Sequence, residues 1–152
     1  MKKSSKNIAI FLIIAMFFIT DRFLKSLFNN SDEVIAIINN FFSLEFAPNP
    51  YIAFSLPISG IILEIIIAMI IIIAMIVAAR HQKTRLPLLL VILGGASNLY
   101  DRILHDYVID YFYLKHFTVF NLADMMILAG AIWLIFVAKN KNLTNFNKQP
   151  RI

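Results

Sequence analysis

The chain has 152 residues, 60% of them apolar and 15% charged, with no cysteine and a formal net charge of +5. Apolar content this far above the usual roughly 45–50%, gathered into blocks, excludes a disordered chain and argues for a one-domain membrane protein. The missing cysteines exclude thiol catalysis, disulfides and thiolate zinc sites.

Four blocks reach the roughly 20 residues that a helix needs to cross a bilayer. The first, residues 8–28, carries Asp21, Arg22 and Lys25 toward its far end. Its basic start imitates a signal peptide, but no small-residue cleavage pattern follows, so it reads as an uncleaved span. The second, 58–79, holds one charge, Glu64, read as a partner or an interface-seeking side chain. The third, 86–104, opens at Pro87 and ends with Asn98, Asp101 and Arg102; the fourth, 121–138, has Asp124 in its first turn. Helices are expected because lipid offers the backbone no partners, and the continuous apolar runs lack the alternation of a transmembrane barrel. Residues 1–139 form the membrane domain, and 140–152 are expected to be a disordered cytoplasmic tail.

Basic residues set the orientation. Lys2, Lys3 and Lys6, then Arg80, Lys83 and Arg85, then Lys139, Lys141, Lys148 and Arg151 all fall on one side. Only Arg22, Lys25, Arg102 and Lys115 remain for the other. Both termini are therefore expected in the cytoplasm, and these charges are topological anchors rather than a nucleic-acid footprint. All nine acids then lie in outer loops or outer helix halves. An acid inside a span costs roughly 2.5–3.5 kcal/mol, so such groups serve a site or have partners. Asp21, Asp101, Asp110 and Asp124, at one level with Asn49, Asn98, Asn121, Lys25 and Arg102, point to a polar site at the outer face.

Local spacing allows structural readings beside this one. Asp21 and Lys25 are an i, i+4 ion pair with the acid first. Asn98, Asp101 and Arg102 share a helix face, and an Asp101–Arg102 network would brace the bundle. Gly94 and Gly95, one turn earlier, permit close helix approach. Asn121 and Asp124 fit a helix cap with an acid at its third position as well as they fit a site. His81, His105 and His116 lack zinc-ligand spacing, and Ser26 points away from Lys25, which disfavours zinc and serine chemistry. Such a polar cluster would also suit a small transporter or proton relay, a non-catalytic assembly protein that uses it only to pack helices, or, more weakly, a rhomboid-like serine protease. The relay is weakened because no acid lies in an inner half-span.

Asp21-x-x-x-Lys25, Asn49 before Ala53-Phe54-Ser55, Gly94-x-x-x-Asn98-x-x-Asp101-Arg102, Val108-x-Asp110 and Phe120-Asn121-x-Ala123-Asp124 occur in that order. This set resembles bacterial lipoprotein signal peptidase (signal peptidase II), a membrane aspartic protease of the bacterial cytoplasmic membrane, across most of the chain. The resemblance implies an all-α, four-helix bundle with a small extracytoplasmic sheet-like cradle and a short interfacial helix. Part of the cradle is expected in residues 34–46, with Phe41-Phe42-Ser43-Leu44 as a strand. It implies Asp110 and Asp124 as the catalytic pair, Asn49, Asn98, Arg102 and Asn121 orienting substrate or carboxylates, and Asp21, Lys25 and Asp101 holding the fold around them. The implied substrate is a prolipoprotein bearing a diacylglyceryl-modified cysteine, met at the lipid surface by a monomer using neither metal nor cofactor. Two departures stand out: Tyr51 stands where the family usually has glycine, two residues after the asparagine, and the segment from Asp110 to Asp124 is somewhat shorter than usual.

Overall fold

The computed structural model describes residues 3–39, 41–50 and 60–146. Four helices, α1 (Lys3–Phe28), α2 (Ile61–Arg80), α3 (Arg85–His105) and α4 (Leu122–Phe146), make up most of the chain. Strands β1 (Ile35–Ile38) and β2 (Phe42–Asn49) lie between α1 and α2, and β3 (Val108–Leu114) and β4 (Thr118–Phe120) between α3 and α4. A short 3-10 turn, Gln82–Thr84, joins α2 to α3. Four helical stretches are long and apolar enough to cross a membrane: Ser5–Phe28, Ile61–Arg80, Gln82–His105 (the 3-10 turn with α3) and Leu122–Lys139.

The helix ends depart from the sequence expectation in two places. α1 already begins at Lys3, and α4 runs through Phe146 where a disordered tail was expected from Asn140. No glycine or proline interrupts residues 131–146, and extending an existing helix needs only one more hydrogen bond per residue. Residues 147–152 lie outside the described residues. So do residues 51–59, and with them Tyr51 and Ala53-Phe54-Ser55. Among the described residues at the sheet end there is no short interfacial helix.

α3 is central, packed against both α2 and α4, while α1 packs on α3 and α4. The α3–α4 contact is backbone to backbone. A Cβ at Gly94 would lie 2.5 Å from the Ala123 carbonyl oxygen, and one at Gly130 would lie 2.6 Å from that of Pro87. Only glycine permits this approach.

The strands form one antiparallel sheet in the order β1-β2-β3-β4. The expected cradle strand at Phe41–Leu44 is the start of β2. The β2–β3 register shifts between Leu44 and Ala47, which bends the sheet as a bulge does. β3 and β4 join through a tight turn with His116 at φ 67. Because β2 pairs with β3, both strand-bearing connections sit at one end of the bundle. The turn with Arg80, Lys83 and Arg85 sits at the other.

Burial is inverted relative to a water-soluble protein. Large aliphatic side chains such as Ile62, Ile73 and Leu128 are exposed along the helices, as spans facing lipid require. Asp21, Lys25, Asp101, Asp110 and Asn121 are almost fully buried. The polar core gathers at the sheet end of the helices.

Candidate active site

Asp110 comes from β3, opposite Ala47 of β2. Asn49, at the end of β2, donates its Nδ2 to Asp110 Oδ2 at 2.9 Å, and Asn121 Nδ2 donates to Oδ1 at 2.6 Å. Asp124 stands in the first turn of α4. Its Oδ2 accepts the Asn121 backbone N–H at 3.2 Å, while Asn121 Oδ1 accepts the Asp124 N–H at 2.9 Å. This is a reciprocal capping box. Asn121 thus has two contacts at once, capping α4 with its Oδ1 and reaching Asp110 with its Nδ2.

Asn98, from α3, closes the circuit. Its Nδ2 donates to Asp124 Oδ1 at 2.7 Å, and its Oδ1 accepts from Lys25 Nζ at 2.7 Å and from Asn121 Nδ2 at 3.2 Å. Asp110, Asn121, Asn98 and Asp124 thus form one continuous hydrogen-bonded chain across a strand and two helices. The two carboxylates are held by amide donors rather than by cations. Burial, and then the charge of Asp124, push the Asp110 carboxyl from 3.8 up to about 7, against smaller opposing effects of Asn49, Asn121 and Lys25. Around neutral pH, Asp110 is poised to hold or release a proton.

Arg102 is nearly buried and donates Nη1 to the Pro50 carbonyl at 3.3 Å. The charges of Asp110, Asp124 and Glu64 all reach its guanidinium. This puts Glu64, in the first turn of α2, at the electrostatic edge of the site.

The expected Asp101–Arg102 brace takes a different form. Asp101 Oδ1 pairs with Arg22 Nη1 at 2.5 Å and its Oδ2 with Lys25 Nζ at 2.7 Å, and Oδ2 also accepts the Ile109 N–H at 3.3 Å. The physical reason is the facing of the helices. Asp101 turns toward the cations of α1, while Arg102, one residue on, turns toward Pro50. The Asp21–Lys25 pair exists at 3.5 Å, longer than the Lys25–Asp101 contact. Ser97 joins the brace by donating its hydroxyl to Asp21 at 2.6 Å, and Arg22 lies over the Tyr100 ring at 4.5 Å.

Arg22, Ser97 and Tyr111 were missed by the sequence reading. Arg22 sits three residues before Lys25 and Ser97 four before Asp101, so helical spacing placed both on the right faces. Tyr111 carried only the alternation of its strand as a signal. Among the described residues no three His, Asp or Glu side chains come together as a metal site. His105 instead stacks on Tyr107.

The chain is similar to known proteins over most of its length. The family described as "Signal peptidase (SPase) II" matches residues 13–139. Proteins named lipoprotein signal peptidase are similar over much of the chain. That of Moorella thermoacetica is 34% identical over 110 residues, 68% of this chain and 72% of the relative. That of Clostridium novyi is 31% identical over 138 residues, 81% of this chain and 92% of the relative. That of Pelotomaculum thermopropionicum is 30% identical, covering 93% of this chain and 99% of its own. A solved bacterial membrane enzyme shares the fold with a TM-score of 0.72 at 21% identity, over 95% of this chain and 93% of that one.

Proposed function

The chain belongs to the signal peptidase II family, and from this premise we propose that Asp110 and Asp124 are its catalytic pair. The substrate is a lipoprotein precursor, cut just before its diacylglyceryl-modified cysteine. The observation that carries the reading is the single network that ties both carboxylates together through Asn121 and Asn98.

Two interacting carboxyls in a dry site do not both ionise easily, so the pair shares one proton. The ionised member takes a proton from water as the water oxygen attacks the scissile carbonyl carbon. The protonated member hydrogen-bonds the carbonyl oxygen and stabilises the charge that develops there. Collapse of the tetrahedral intermediate breaks the C–N bond, and a carboxyl proton passes to the departing amine of the cysteine. Asn49, Asn98 and Asn121 fix the carboxylate planes, and Arg102 orients substrate beside Pro50. Neither metal nor cofactor is required.

The polar site at the ends of four apolar helices suits a peptide bond held at the membrane surface by acyl chains. In this reading the protein works as a monomer in the bacterial cytoplasmic membrane, with both termini and the Arg80–Lys83–Arg85 turn in the cytoplasm and the sheet outside. The cysteine-free sequence lets a single cysteine at His116 test this: an impermeant thiol reagent should label it in intact cells, and labelling only after lysis would reverse the orientation.

The decisive assay incubates purified protein in detergent with a diacylglyceryl-modified precursor, beside Asp110→Asn and Asp124→Asn. Product cut before the lipidated cysteine is expected from the parent alone, with both variants keeping the parent's circular dichroism. Turnover by either variant would overturn the dyad, and an inactive, folded parent would favour the assembly role.

A further inference from the structure

The first N–H groups of a helix have no partner within it and must find acceptors elsewhere. In α4 the Asp124 N–H is met by Asn121, but the two before it are met by other elements. Leu122 N–H donates to the Tyr111 hydroxyl at 2.9 Å, and Ala123 N–H donates to Asp21 Oδ1 at 3.0 Å. The Tyr111 hydroxyl in turn donates to that same Asp21 oxygen at 3.0 Å. One phenol and one carboxylate oxygen thus clasp the start of α4 onto α1 and β3. Tyr111 has no solvent exposure, and its ring stacks on Phe28 at 6.0 Å between centroids.

We propose that the Tyr111 hydroxyl is a positioning group that sets Asp124 for the reaction by fixing the first turn of α4. Strand alternation places Asp110 and Tyr111 on opposite faces of β3. Asp110 faces the asparagines, and Tyr111 faces α1 and the start of α4. The same strand therefore carries one carboxylate itself and holds the helix turn that carries the other. Displacements as small as about 1 Å are costly in such a site, so the clasp acts on the separation of the pair rather than on substrate. Burial, and then the charge of Asp21, raise the phenol above its ordinary value, which keeps its proton available for Asp21.

This inference rests on the catalytic reading of Asp110 and Asp124, so its test includes Asp124→Asn. Tyr111→Phe keeps the ring and removes only the hydroxyl, whereas Phe28→Leu disturbs the ring stack and leaves the hydroxyl. Cleavage of the diacylglyceryl-modified precursor is followed with each, together with thermal unfolding and amide exchange over residues 122–124. Tyr111→Phe removes both hydrogen bonds of the hydroxyl and should lower kcat about tenfold at unchanged KM and speed exchange in that segment. Phe28→Leu should lower Tm yet keep kcat within about twofold, because the catalytic geometry is intact. Parental kcat in Tyr111→Phe, or an equal loss of kcat in Phe28→Leu, overturns the clasp. Turnover by Asp124→Asn overturns the catalytic reading and the clasp with it. An inactive Asp124→Asn beside a fully active Tyr111→Phe overturns the clasp alone.

Discussion

Gly94→Ala should separate packing from catalysis. The added methyl would meet the Ala123 carbonyl oxygen at 2.5 Å and Ile127 Cγ1 at 2.9 Å, where ordinary contact begins at 3.4 Å. The isoleucine can turn away, but the carbonyl belongs to the backbone of α4, one residue before Asp124. α4 must retreat by roughly 0.9 Å, and a displacement of about 1 Å in a site costs about 10²-fold in rate. Overpacking adds a stability loss of about 1–3 kcal/mol. Gly130→Ala is the matched comparison: its methyl would meet the Pro87 carbonyl oxygen at 2.6 Å. It lies about 9 Å further along α4 from Asp124. Both variants should lose similar Tm in detergent, but only Gly94→Ala should lose about 10²-fold in kcat against the lipidated precursor. Gly95→Ala, which meets Ile71 at 3.4 Å, should change neither. Equal kcat in Gly94→Ala and Gly130→Ala would refute the claim that the α3–α4 approach sets the position of Asp124.

Stability should carry the signature of Asp110. Its folded value lies near 7 against 3.8, so between these the folded state binds more protons than the unfolded one. The contribution of this group is fully present below about pH 4 and is lost as pH rises toward about 7. The slope of Tm against pH across this window should be flatter in Asp110→Asn; an unchanged slope would mean that Asp110 does not titrate there. The buried cations should differ in weight. Lys25→Met strips the fully buried Asp21 and Asp101 of a shared partner and should cost about 3–5 kcal/mol in thermal or denaturant unfolding. Arg22→Gln removes a partly exposed partner and leaves Asp101 paired with Lys25, so it should cost about 1 kcal/mol. An equal loss in the two would contradict this ranking.

The spans, the acids at one level and the two asparagine–aspartate motifs were legible because each depends on local periodicity or on the cost of a charge in an apolar run. Asn121 and Asp124 were ambiguous because a capping box and a polar site demand the same residue types, and here Asn121 both caps α4 with Asp124 and reaches Asp110. The partners of Asp101 were not legible. Adjacent helical positions point about 100° apart, so Asp101 and Arg102 diverge, and the cations Asp101 meets lie 79 and 76 positions away in sequence. The role of Tyr111 was hidden for a similar reason. An aromatic residue in a strand reads as packing, and nothing local reveals that its hydroxyl meets Asp21, 90 positions away. The extension of α4 through Phe146 shows the converse error, where polar composition was read as a helix end although no residue there stops a helix.

The pairing of Arg22 and Lys25 with Asp101 also governs the order in which the chain can be made. α1 emerges during synthesis with Asp21, Arg22 and Lys25, and only Asp21 and Lys25 can partner each other within that helix. Arg22 must wait for Asp101 of α3, which is synthesised after α2 has already been threaded. Arg22 lies near the outer end of its span, so until then it costs less than the roughly 2.5–3.5 kcal/mol of a cation at a helix centre. α1 is thus a provisional membrane segment, made permanent by a helix that arrives two segments later. Chains that stall before α3 leave Arg22 without its carboxylate partner.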